Sequence, residues 1–157
     1  MNHALPLPPP PHRPKVLVLD DEPLMRRAVR AALTEAGFDV AECGDGDTAH
    51  LLLARHALDA VLFEAHVPPF APAAFVASIR TLHPDLVVVA CCGHLSTPRI
   101  RELLEAGADA FVAKVDLHAE LVAVLFEQLA ARAAHAATRQ PAVDATPTRP
   151  LRPSPAR

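Results

Sequence analysis

No apolar run in this sequence approaches the roughly 18 residues needed to cross a bilayer, and the N-terminal residues lack the apolar core of a signal peptide. Those absences point to a soluble, cytoplasmic protein with no membrane partner. Cysteine is scarce: Cys43, Cys91 and Cys92 are the three present. An odd count is a poor disulfide framework, and adjacent cysteines have neither zinc nor redox spacing, so reduced, buried thiols are expected. Basic charge is sparse in the body of the chain. Residues 15–135 hold 10 Lys and Arg against 17 Asp and Glu, a net −7 that makes nucleic acid an unfavourable partner for that part. The remainder is basic, with five arginines against Asp144 alone. Arg139, Arg149, Arg152 and Arg157 are read as solvated linker side chains, with weak contact to polyphosphate as the alternative.

Proline, in contrast, is plentiful and uneven. Of 17, six fall within residues 1–14 and five within 140–157. Proline removes backbone donors, and neither end has apolar periodicity, so residues 1–14 and 136–157 are expected to be extended, mobile tails. Between them, residues 15–135 form one expected domain, long enough to bury roughly two-thirds of its unfolded surface.

Within that domain the pattern alternates between period two and period 3.6. "KVLVLD", "FDVAEC", "DAVLF", "DLVVVACC" and "ADAFVAK" read as strands. Helical patterns follow each: one begins at Pro23 and ends at Gly37, then come "TAHLLLARH" after a "GDGD" turn, "AAFVASIRTL", "PRIRELLEAG" and a long "DLHAELVAVLFEQLAARAAHA". Five strand–helix units with short loops predict an α/β fold with a doubly wound parallel sheet between helical layers. Ligands in such folds bind at the carboxyl ends of the strands, beside the topological switch point.

The residues expected at those ends share a character. The first strand delivers Asp20 and Asp21, the third Glu64, the fourth Cys92 and the fifth Lys114. A first strand flanked by the second and third brings Asp20, Asp21 and Glu64 into one crevice, with Lys114 near enough to offset part of their repulsion. Clustered like charges need a cation or a proton. Magnesium suits an all-carboxylate set, and the lack of histidine among these oxygen ligands disfavours zinc. Capping of the first helix accounts for one of the acids but poorly for three.

These pieces resemble the receiver domain of two-component response regulators. The resemblance lies in "VLVLDDEPLMR", "LTEAGFDVAECGDGDTA", "DAVLFEAHVPP", "HPDLVVVACC" and "EAGADAFVAKVDLHAEL", in family order and spacing. It implies a CheY-like, flavodoxin-like (βα)5 fold with strand order 2-1-3-4-5. It also implies that Asp20 and Asp21 hold Mg2+, that Glu64 stands at the phosphoacceptor aspartate and Cys92 at the phosphoryl-binding Ser or Thr. Phe111 becomes the switch aromatic and Lys114 the lysine of the site, with Val115 in place of the proline that normally follows it.

Three departures fall together on the phosphoryl-handling side. Glutamate extends the nucleophile by one methylene, about 1.5 Å, and misplacement on that scale costs on the order of a hundredfold in rate. A bridge from Glu64 to Lys114 is expected. The Cys92 thiol donates a poorer hydrogen bond than a hydroxyl. Without proline, a cis bond before Val115 costs about 2.5–4 kcal/mol, so a trans bond and a reshaped loop are expected. His66 and His94 border the crevice and are read as solvated loop side chains, with assistance to Zn2+ or Ni2+ the alternative. Cys91 and Cys92 are read as small core hydrophobes rather than redox sensors.

The expected function is that of an atypical, stand-alone receiver: a non-enzymatic module released from phosphorylation that works by binding proteins, either a sensor kinase or a downstream signalling protein. The contact surface that the resemblance implies is the fourth helix, fifth strand and fifth helix. Its candidate rim residues are Arg99, Arg101, Glu102, Glu105, Asp116, His118 and Glu120. The alanine-rich end of the last helix either extends a homodimer seam or is simply exposed. The alternatives are an autocatalytic phosphoacceptor or relay intermediate using Glu64 and Mg2+ on Asp20 and Asp21, and a nucleic-acid adaptor acting through the arginine tail.

Overall fold

The computed structural model describes residues 12–67, 71–114 and 117–139, with 117–119 described by backbone alone. Most of both expected tails lies outside the described residues. Strand and helix alternate along the chain: β1 (Lys15–Leu19), α1 (Pro23–Glu35), β2 (Asp39–Cys43), α2 (Gly46–Arg55), β3 (Ala60–Glu64), α3 (Pro72–Leu82), β4 (Val87–Cys92), α4 (Thr97–Ala106), β5 (Ala110–Ala113) and α5 (Leu117–Arg139). The five strands are parallel and ordered β2-β1-β3-β4-β5. This is the doubly wound, flavodoxin-like topology expected from the alternation and the resemblance.

Local chemistry sets the element boundaries. Helices α1, α3 and α4 each carry proline in the first turn, where its fixed φ suits the helix and its missing N–H costs nothing. Gly107 ends α4 at φ 115°, a left-handed conformation that side chains with a Cβ resist. Helix α2 starts earlier than its pattern indicated, so half of the expected "GDGD" turn is helical. The cause is Asp45, whose carboxylate accepts from the Thr48 N–H at 2.8 Å and from its hydroxyl at 2.7 Å. Those bonds hold the Asp45 carboxyl below its ordinary range and make it a strong N-cap.

The sheet is buried on both faces, which explains the continuous apolar runs of β1, β3 and β4. Leu17, Leu19, Val61, Phe63, Val88 and Ala90 pack towards α2, α3 and α4 around Leu53, Phe75, Ile79 and Leu103. Val16, Val18, Leu62, Val87, Val89 and Val112 face α1 and α5 through Val29, Leu33, Leu121 and Leu125. Each fully buried Leu or Phe contributes about 1.5–3 kcal/mol. Together the two layers form a rigid platform from which the strand ends project.

The amino-terminal edge of the sheet is closed by a polar clamp. Asp109, just before β5, accepts from the Val88 N–H at 2.8 Å and pairs with Arg80 at 2.9 Å and with Arg132. Arg80 also donates to the carbonyls of Pro84, Leu86 and Gly107, and Arg132 to that of Pro84. The clamp thereby ties α3, β4 and the distal part of α5 to the start of β5. Asp109→Ala removes the anion that pairs with both guanidinium groups and leaves the Val88 N–H without its acceptor. It is expected to lower the unfolding free energy by roughly 2–3 kcal/mol in a urea titration, whereas Asp85→Ala, on the exposed pair with Arg139, is expected to change it by less than about 0.5 kcal/mol.

Candidate functional site

At the opposite, carboxyl edge, β1 and β3 deliver two buried acids side by side. Asp20 is 3% exposed and Glu64 4%. Such burial is costly for an ionised carboxylate without partners, and each has them. Asp20 Oδ1 accepts from the Glu22 N–H at 2.8 Å, and its backbone carbonyl accepts from Arg26 at 2.6 Å, which pins the turn into α1. Glu64 Oε1 accepts from the His66 N–H at 3.0 Å.

Lys114, just past β5, joins the two acids. Its Nζ lies 2.6 Å from Glu64 Oε2 and 3.0 Å from Asp20 Oδ2, so the bridge expected from the length of glutamate is present. Burial opposes the lysine charge, but the bonds to Glu64 and Asp20 outweigh it and push the pKa up. The ammonium therefore stays charged throughout the neutral range. Asp21, the second acid of the expected pair, is exposed.

Cys92 ends β4 with its thiol at the rim of the same crevice. Its Sγ lies 2.7 Å from His66 Nδ1, 3.4 Å from the His94 N–H and 3.5 Å from the His94 carbonyl. Desolvation raises its pKa. Cys91 points to the other face of the sheet, into the layer beneath α1 and α5, and burial pushes its thiol up as well. Cys43, also buried and free, is pushed up to about 11 by desolvation. Cys91 thus matches the core-hydrophobe reading, while Cys92 has one side in the core and the other in the site.

His66, expected at the border of the crevice, makes a contact with Cys92 that the sequence reading did not anticipate. Although its side chain is 61% exposed, its ring lies 3.4 Å from Glu64 Oε1 as well as against Cys92. The signal available in the sequence was its position two residues beyond the strand-ending glutamate. Phe111 is half-buried in β5 and packs on the layer formed by α2, α3 and α4. Of the expected rim residues, Arg99, Arg101, Glu102, Glu105 and Glu120 are exposed, with Arg99 and Glu102 paired at 2.9 Å. Val115 and Asp116 lie outside the described residues, as does the side chain of His118.

A 2-1-3-4-5 parallel sheet with a lysine-bridged acidic crevice at its carboxyl edge defines a CheY-like signalling fold. Residues 16–126 match the family model of the response regulator receiver domain, and the chain belongs to that family. It is 31% identical over 110 residues to the transcriptional regulatory protein PrrA of Mycobacterium tuberculosis, covering 70% of this chain and 47% of that protein. With the transcriptional regulatory protein KdpE of the same species, it shares 30% identity over 129 residues, 82% of this chain and 57% of KdpE. The chain thus spans about half the length of these curated relatives. Among solved structures, the CheY-like receiver domain protein of Methanospirillum hungatei superposes with a TM-score of 0.75 at 18% identity, covering 79% of this chain and 99% of that one. Among the described residues, no helix is long and apolar enough to cross a membrane.

Proposed function

We propose that this receiver serves two-component signalling as a phosphorylation-independent protein-interaction module rather than as an enzyme or phosphoacceptor. The observation carrying this reading is the 2.6 Å contact between Glu64 and Lys114. A carboxylate one methylene longer than aspartate reaches the lysine directly and fills the space in which a phosphoryl group would be received. Charge neutralisation by lysine and metal is central to phosphoryl transfer. Here the lysine is already committed to two fixed carboxylates. The thiol of Cys92 is turned to His66, and a thiol is a weak donor to phosphoryl oxygens.

Receiver domains typically hold Mg2+ at acidic residues. The donor set of Asp20, Asp21 and Glu64 fits that ion, being all oxygen, and Asp21 is exposed. Bound there, magnesium would supply neutralising charge. It would share Asp20 and Glu64 with an ammonium that already holds both.

In this reading the output passes through the face built by α4, β5 and α5, where Arg99, Arg101, Glu102, Glu105 and Glu120 form a mixed-charge rim, with Asp116 and His118 continuing it in sequence. The partner is a cytoplasmic protein, either a sensor kinase or a downstream signalling protein, and a homodimer through the same face is the alternative. Nucleic acid is disfavoured by the acidic body, and a contribution from the arginine tail would appear as salt-dependent binding lost on truncation at Gln140.

Magnesium with beryllofluoride tests the proposal, because this acyl-phosphate mimic seats only where the ion and a correctly placed carboxylate coexist. The expected result is an unchanged melting temperature in a protein whose circular dichroism is native. A clear upward shift would instead make Glu64 a working acceptor.

A further inference from the structure

The geometry points to a transition-metal site of the zinc class formed by Glu64, His66 and Cys92, which shares Glu64 with the magnesium donor set but adds nitrogen and sulfur to it. A carboxylate oxygen, an imidazole nitrogen and the thiol sulfur of these residues all lie within 4.8 Å of one another. Sulfur, nitrogen and oxygen in one cluster suit zinc, cobalt or nickel and are wrong for magnesium. Two of the three ligands are fixed by the sheet. Glu64 and Cys92 end the adjacent strands β3 and β4, with Glu64 in register with Cys91, and both are buried. The third, His66, sits on the loop after β3 with a largely exposed ring, so it supplies the adjustment that closure needs.

Tetrahedral coordination at about 2.0–2.3 Å per bond places ligand atoms roughly 3.3–3.7 Å apart. The separation of His66 Nδ1 from Glu64 Oε1, 3.4 Å, already has that value. The 2.7 Å separation of Cys92 Sγ from His66 Nδ1 must open by about 1 Å, a tilt of the exposed ring. Lys114 does not block the site, because it engages Oε2 while Oε1 faces His66. Three protein ligands at the mouth of the crevice leave a fourth position open to solvent or to a partner's side chain. Occupancy would tie the loop after β3 to the end of β4, next to the start of α4. Metal availability would then bias the surface that phosphorylation controls in ordinary receivers.

The site does not depend on loss of phosphorylation, and its test uses neither magnesium nor a phosphoryl donor, so the two readings fail separately. Cobalt(II) is titrated into the reduced, full-length chain and followed by absorption. The expected result is one equivalent bound with a thiolate-to-cobalt charge-transfer band, bleached by added Zn2+. His66→Ala is expected to weaken binding at least tenfold, and Cys92→Ser, which keeps the side-chain size, to remove the charge-transfer band. His94→Ala and Cys43→Ser are expected to leave it in place. A wild-type protein that folds but shows no such band would overturn the proposal. So would a band surviving both His66→Ala and Cys92→Ser, or cobalt spectra of histidine ligation alone.

Discussion

Lys114→Met is expected to lower the unfolding free energy by roughly 3–5 kcal/mol at pH 7.5, because it leaves two nearly dry carboxylates facing each other with no cation. The size of the effect follows from burial. Asp20 and Glu64 are 3% and 4% exposed, and Lys114 contacts both within 3.0 Å. A surface pair of the same geometry would contribute less than about 1 kcal/mol. Adding Glu64→Gln to Lys114→Met removes one of the stranded charges and is expected to recover at least half of the loss, a coupling that a double-mutant cycle in urea reads directly. The pH dependence follows from the direction of the lysine shift. Burial works against the charge, the bonds to Glu64 and Asp20 prevail, and the folded pKa is raised. A raised folded value makes the stabilisation complete below the unfolded pKa of about 10.4, and it is lost only as pH climbs through the folded one. The lysine's own ionisation is therefore expected to add no slope to the difference between wild type and Lys114→Met from about pH 6 to 9. A deficit below about 1 kcal/mol would mean that the crevice is hydrated enough to screen its acids.

The convergence of those three side chains was legible because a parallel sheet makes position a matter of counting. Each strand's last residue must reach the same edge, and strong apolar runs such as Val61–Phe63 and Val87–Ala90 mark where strands end. That is why spacing placed Asp20, Glu64 and Lys114 at one edge, while the strand order that makes them neighbours came from the resemblance. The contact between His66 and Cys92 was not legible, since it depends on how the loop after β3 turns, and loop conformation has no periodicity. Its residues were visible, and one alternative for His66 was ligation of Zn2+ or Ni2+, but the link to Cys92 was not. The Asp109 clamp escaped for a related reason: Arg80 and Arg132 sit in helical patterns where an arginine usually reads as solvated. Asp45 is a smaller case. A glycine and aspartate run signals a turn, yet one carboxylate seated on Thr48 was enough to start α2 inside it.

Restoring the two shortened or hydroxyl-bearing side chains gives the second large effect. Wild-type protein incubated with acetyl phosphate and a divalent metal such as Mg2+ is expected to show no acyl phosphate on Glu64 by intact mass. Glu64→Asp with Cys92→Thr is expected to gain it, with a rate on the order of a hundredfold or more above the wild-type limit. The aspartate withdraws the carboxylate by about 1.5 Å, which separates it from Lys114 and vacates the space between them. The threonine replaces a weak sulfur donor with a hydroxyl and releases His66 from the thiol. Each substitution alone is expected to do less than the pair, because reach without a donor leaves the phosphoryl oxygens unheld, and a donor without reach has nothing to hold. Glu64→Asp should also lengthen the contact to Lys114, so a small loss of stability is expected to accompany the gain in reactivity. Should the double variant stay inert while folded, length and donor strength are not what disables the crevice, and the replacement of proline by Val115 after the lysine becomes the position to change next.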